Sequence, residues 1–88
     1  VDKLFLATGG ISPSFELTYP GFSDLPVKRA MVEAASETYL VADSTKIGKS
    51  SFASLGVMDY VDYFITDSEI SSELFSQIEE MGITVIKT

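Results

Sequence analysis

Four short apolar runs, Leu4–Ala7, Thr38–Ala42, Val61–Thr66 and Ile83–Ile86, set the terms on which this chain can fold, because two of the three intervals between them carry apolar residues at helical spacing. In the first interval Val27, Ala30, Met31, Ala34 and Ala35 fall at i, i+3, i+4, i+7 and i+8, behind Asp24 as a cap and Pro26 in the first turn. That pattern predicts a helix with one buried stripe. In the last interval Ile70, Leu74, Phe75, Ile78 and Met81 line one side of a second helix, capped by Asp67 or Ser68 and ended by Gly82. Strands alternating with helices imply parallel pairing through right-handed crossovers. The expected class is therefore α/β, a mainly parallel sheet with helices packed on its faces, in the order β-α-β-(x)-β-α-β.

Three segments are read with less regularity. Leu4–Ala7, unbroken and apolar, reads as a strand buried on both faces. Residues 11–22 hold two prolines, Gly21 and aromatics without a period, and read as a loop. Residues 52–58 fit either a short helix or a strand interrupted by Gly56.

The chemistry open to the chain is narrow. At 88 residues it has room for one core. It has no histidine and no cysteine, which excludes disulfides, the usual zinc sites, thiol nucleophiles and Ser-His or Cys-His catalysis. A formal charge of −7 repels a phosphate backbone, so any contact with DNA belongs to another part of the protein. No apolar run approaches the roughly 18 residues of a membrane span, and no signal pattern opens the chain, so a cytoplasmic protein without a membrane partner is expected. Both ends fall directly on strands. Residues 1–88 are thus expected to be a piece of a larger domain, with an exposed sheet edge that favours self-association.

Ligands of parallel α/β sheets gather at the carboxyl ends of the strands, which draws attention to Thr8–Ser12, Asp43–Ser51 and Thr66–Ser68. The stretch YLVADSTKIGKSSF, from Tyr39, turns from strand to hydroxyls, lysines and one glycine. Its GKSS does not complete a phosphate-binding P-loop, because the first glycine of that pattern would fall on Asp43. Adjacent Gly9 and Gly10 likewise fail the dinucleotide spacing G-x-G-x-x-G. What remains is a donor set: the Lys46 ammonium, the Ser44 and Thr45 hydroxyls, and backbone amides suited to a phosphate, with Asp43 as acceptor for a sugar hydroxyl. The same residues also make an ordinary capped loop. Gly9 and Gly10 suit either a close ligand approach or a plain turn. Lys28 and Arg29, early in a helix, oppose its dipole, which hints at a nearby anion or marks a solvated basic face. Asp59 and Asp62 lie at the opposite end of their strand from Asp67, against a metal or phosphoacceptor cluster.

Taken in order, DKLFLATGGIS, LPVKRAMVEAA, YLVADSTKIGKSSF, VDYFITD and GITVI resemble the C-terminal effector-binding domain of the DeoR family of bacterial transcriptional regulators, over nearly all of the chain. The most specific matches are VKRAM, ADSTKIG and D-x-[FI]-I-T-D. The resemblance implies a fold similar to ribose-5-phosphate isomerase, of which this would be the second half, and a phosphorylated sugar as effector. It implies that Lys46 and Lys28 lie in the ligand pocket and that Gly9 and Gly10 face it. The related isomerases carry aspartates where Ala7, Thr8 and Gly9 stand here, so no general base is evident and sensing is expected over turnover. The expected ligand residues are Gly9, Gly10, Lys28, Asp43, Ser44 and Lys46, with no catalytic residue, metal or cofactor. The expected partners are a sugar phosphate, operator DNA through a winged helix-turn-helix outside this chain, and further copies in a homo-oligomer. A sugar-phosphate isomerase is the alternative, as is a subunit-pairing module built on Phe15, Tyr19, Phe22, Tyr60 and Tyr63.

Overall fold

Burial alternates residue by residue along the first strand, β1 (Lys3–Leu6), with Leu4 and Leu6 inward and Phe5 outward. A computed structural model describes residues 2–88. The remaining elements are β2 (Gly10–Ile11), β3 (Glu16–Tyr19), α1 (Leu25–Ala34), β4 (Glu37–Val41), β5 (Ala53–Val57), β6 (Tyr63–Thr66), α2 (Ser72–Glu80) and β7 (Thr84–Lys87). The four expected strands are present within two residues of their expected starts, and they pair in parallel in the order β1-β4-β6-β7.

That order steps the same way across the sheet at every connection. Right-handed crossovers then carry all three connections over the same face. The register bears this out: Leu6, Leu40, Phe64 and Val85 stand in one row across the sheet, all buried. Ile78 of α2 and Leu17, Leu55 and Met58 complete the core against them. The opposite face carries Phe5, Tyr39 and Tyr63 in a second row, with Phe5 61 % exposed. β1 is therefore buried on one face, not two, because nothing among the described residues crosses over the other side.

Residues 11–22 are not a loop. Gly10–Ile11 and Glu16–Tyr19 form an antiparallel hairpin, and β5 joins it to make a second, three-stranded sheet in the order β2-β3-β5. The hairpin escapes a sequence reading because its turn places Phe15, not glycine, at a positive φ of 62°, and because Leu17, Thr18 and Tyr19 are all buried and show no alternation. The open choice for 52–58 resolves as a strand. Gly56, at φ 91°, sits where the register between β3 and β5 shifts, so the glycine that seemed to interrupt the strand is its bulge.

Both helices depart in detail from expectation. Asp24 occupies the cap position of α1 but its side chain makes no capping hydrogen bond. Val27, Ala30, Met31 and Ala34 of the expected stripe are exposed, and α1 rests instead on Leu25, Val32 and Ala35. Ser71, not Asp67 or Ser68, caps α2, its hydroxyl accepting from the Leu74 amide at 3.1 Å.

One buried residue ties the hairpin to the chain that leads into β5. The Thr18 hydroxyl, 4 % exposed, donates to the Gly10 carbonyl at 2.8 Å and accepts the Ser51 amide at 2.9 Å. Thr18→Val keeps the shape and strands the Ser51 amide, while the Gly10 carbonyl keeps the Thr8 hydroxyl; a buried unsatisfied group costs about 1–3 kcal/mol. Urea unfolding should show that loss for Thr18→Val and much less for Thr18→Ser; equal midpoints for wild type and Thr18→Val would remove this tie.

Candidate functional site

Two of the three loops at the carboxyl ends of the parallel strands are locked to each other. The Gly48 amide donates to the Ile11 carbonyl at 2.7 Å, and Ile47 bridges to Ile11 in parallel. A side chain at Gly10 would collide with the Lys49 carbonyl oxygen, and one at Gly9 would press on the Ser51 hydroxyl at 2.9 Å. Glycine is thus required at position 10 by the close passage of Lys49, whereas at position 9 the Ser51 hydroxyl can turn aside. Thr8 finishes the arrangement, its hydroxyl within 2.9 Å of the Gly10 and Thr18 carbonyls.

The polar stretch after β4 is a single 3-10 turn, Ser44–Lys46. Asp43 precedes it, exposed, and accepts the Thr45 hydroxyl. The turn is held from the neighbouring strand. Asp67, following β6, accepts the Ser44 amide on one carboxylate oxygen and the Glu69 amide on the other, each at 2.9 Å. The Ser44 amide and hydroxyl, then the Glu69 amide, outweigh partial desolvation and hold the Asp67 carboxyl below its ordinary range. Sequence reasoning assigned Asp67 to a helix cap, whereas its partner across the strand ends is the candidate site itself. An acid ending one parallel strand beside a polar turn ending the next is the signal that could have shown it.

A cleft of about 190 Å3 opens between the ends of β4 and β6, lined by Ala42, Asp43, Thr66, Asp67 and Thr88. The Thr66 hydroxyl is buried there without a hydrogen-bond partner. Lys28 stands elsewhere. With Leu4, Thr8, Tyr19 and Asp24 it lines an open groove of about 510 Å3 beside β1, and that groove shares no residue with the cleft. The Lys28 ammonium lies 4.9 Å from the Tyr19 ring centroid. Burial raises the Tyr19 hydroxyl above the usual tyrosine value, and it donates to the Ala7 carbonyl at 2.7 Å.

Of the expected ligand residues, Gly9, Gly10, Asp43, Ser44 and Lys46 thus lie on two loops brought together at one end of the sheet, and Lys28 lies in the adjoining groove. Ser44 already spends its amide on Asp67. At the other end of the sheet, Asp62 accepts the Thr38 amide at 2.8 Å, so Asp62 and Asp67 do not converge. Among the described residues no group of three or more acids forms a metal cluster. The aromatics expected to form a pairing surface are dispersed: Tyr19 is buried, Phe15 and Tyr60 pack on the core, and Phe22 meets Phe52 at 5.1 Å.

A carboxyl held below its ordinary value stabilises the fold above that value and loses the contribution as pH falls through it. Acidification below about pH 4, the ordinary carboxylate range, should therefore loosen the Ser44–Lys46 turn. Amide exchange at Ser44 should rise as Asp67 is protonated, and Asp67→Asn should show rapid exchange already at neutral pH. A Ser44 amide equally protected in both proteins at pH 7 would contradict this.

A family model described as the DeoR C terminal sensor domain matches residues 1–68. Over 85 residues the chain is 36 % identical to the HTH-type transcriptional regulator GlpR of Haloferax volcanii, covering 97 % of this chain and 33 % of that protein. It is 28 % identical over 88 residues to the HTH-type transcriptional repressor GlcR of Bacillus subtilis, all of this chain and 34 % of that one. The HTH-type transcriptional regulator IolR of Bacillus subtilis is 26 % identical over 85 residues, 97 % of this chain and 34 % of its own length. The chain spans about a third of the length of these curated relatives.

Proposed function

The chain belongs to the DeoR family of transcriptional regulators, matching its C-terminal sensor domain, and on that premise we propose that it senses a phosphorylated sugar and passes the signal to DNA binding elsewhere in the protein. In this reading residues 1–88 are the C-terminal portion of the effector domain. A separate helix-turn-helix contacts the operator, which suits the charge of −7 here. The protein works in the cytoplasm as a homo-oligomer. No helix is long and apolar enough to cross a membrane among the described residues.

The observation that carries the reading is the locking of Thr8–Ile11 to Ile47–Ser51 at the carboxyl ends of the parallel strands, the place where α/β sheets take ligands. Lys46, on the turn so fixed, supplies the cation for phosphate, with backbone amides around it. Asp43, on the adjoining cleft, accepts a sugar hydroxyl. Lys28 reaches either the phosphate or a sugar oxygen from the groove beside β1. The side chains present bind and orient. Ala7, Thr8 and Gly9 offer no carboxylate to move a proton.

Sensing then follows from linkage. A ligand that binds one arrangement of the regulator better than the other shifts the balance between them, and a coupling of about 1–3 kcal/mol makes a usable switch. Whether ligand releases or promotes operator binding depends on which arrangement is favoured.

The test is a thermal-shift panel of phosphorylated sugars beside their unphosphorylated parents. A ligand at 100 times its dissociation constant stabilises by about 2.7 kcal/mol. One phosphorylated sugar should raise the midpoint, its parent should not, and Lys46→Ala should abolish the shift. A panel in which no compound and no inorganic phosphate moves the midpoint would overturn the proposal.

A further inference from the structure

Lys28 is a cation without a counter-charge. It is half-buried near the start of α1, where a positive charge opposes the helix dipole. Asp24, four residues earlier, lines the same two cavities and stands at the spacing of a helical ion pair. No ion pair joins them among the described residues, and the Asp24 side chain does not cap the helix either. What the ammonium meets is the face of the Tyr19 ring, 4.9 Å from its centroid. A ring face attracts a cation without neutralising it. Lys3 and Lys87 also lie over rings, but both are exposed.

The ring that holds Lys28 is itself fixed. Tyr19 is buried, its backbone pairs with Ala53 of β5, and its hydroxyl donates to the Ala7 carbonyl at 2.7 Å. Ala7 directly follows β1, so the ring is pinned to the carboxyl end of that strand, next to Thr8 and Gly9. The groove beside β1 and a second cavity of about 330 Å3 have only Tyr19, Asp24 and Lys28 in common, which places the ammonium in the wall between them. A mobile lysine loses rotamer freedom when it grips a ligand, and one already resting on a fixed ring has given up part of that freedom beforehand.

We propose that Tyr19 is a positioning residue of the effector site: its ring holds the Lys28 ammonium in place and fully charged for an oxygen of the effector. The inference rests on the sensing reading above and adds to it the group through which Lys28 becomes usable.

A double-mutant cycle in the native-length regulator tests it. The probes are pentose and hexose monophosphates, and the one that raises the wild-type midpoint most is carried forward, with its dissociation constant as the readout. Tyr19→Leu keeps an apolar side chain without a ring and should weaken binding about tenfold. Tyr19→Phe keeps the ring and should bind as wild type does. In a Lys28→Ala background Tyr19→Leu should cost nothing further. Equal losses in both backgrounds, the mark of a residue that only packs, would overturn the proposal, as would undiminished affinity in Tyr19→Leu. A panel that leaves the wild-type midpoint unmoved removes the sensing reading along with this one. If Tyr19→Leu does not fold, the unaltered protein still decides. The protons beside the Lys28 ammonium should resonate upfield of those of the exposed Lys49, because they lie over a ring face, and should move when the sugar phosphate is added. Ordinary resonances, or resonances that saturating ligand leaves in place, would overturn the proposal.

Discussion

The buried hydroxyl of Thr18 is the interaction on which the rest of the structure depends. It holds the Gly10 carbonyl on one side and the Ser51 amide on the other, and so fastens the hairpin to the chain that returns from the parallel sheet. Only glycine at position 10 lets that returning chain pass so close. With the tie in place, the loop after β1 and the loop after β4 form one surface at the carboxyl ends of the strands. Without it the loops would still meet through the Gly48 amide and the Ile11 carbonyl, but the Ser51 amide would lose its partner and residues 49–51 their hold on the hairpin.

A second tie works along the sheet. Asp67 reaches from the end of β6 to the Ser44 amide at the end of β4, so the short turn carrying Lys46 is held by two neighbours at once. This is how a turn with only three residues in 3-10 geometry can be ordered enough to present a cation in one place. The core has the same one-sided logic: α2 and the small sheet pack on one face of the parallel sheet, and the aromatic row is left on the other.

The parallel strands and α2 were legible in the sequence because short apolar runs and helical spacing report burial directly, as Leu40, Phe64 and Ile78 show. The hairpin was not. Its strands are too short for a period, its turn uses Phe15 where glycine is usual, and its interior residues are buried on every side. The stripe of α1 misled because an apolar helix face exposed in these residues has the same spacing as one that is buried, so Val27 and Met31 look like core. At the site, residue type showed that Asp43 to Lys46 is polar and fit for an anion. The partnership with Asp67 could not be read, since it joins positions 23 apart through strand order alone. The family resemblance reached the matched sensor domain from ordered motifs, which carry information that composition does not.

The claim at the centre is that the locked loops, not some other surface, receive the effector. An amide spectrum of the isotope-labelled protein, followed as a phosphorylated sugar is added, tests it most directly. Shifts concentrated at Thr8–Ile11, Asp43–Ile47 and Thr66–Asp67, with little change at Phe5, Tyr39 and Tyr63, are the result expected. Shifts confined to other surfaces, or a saturating ligand that leaves those three loops untouched, would contradict it.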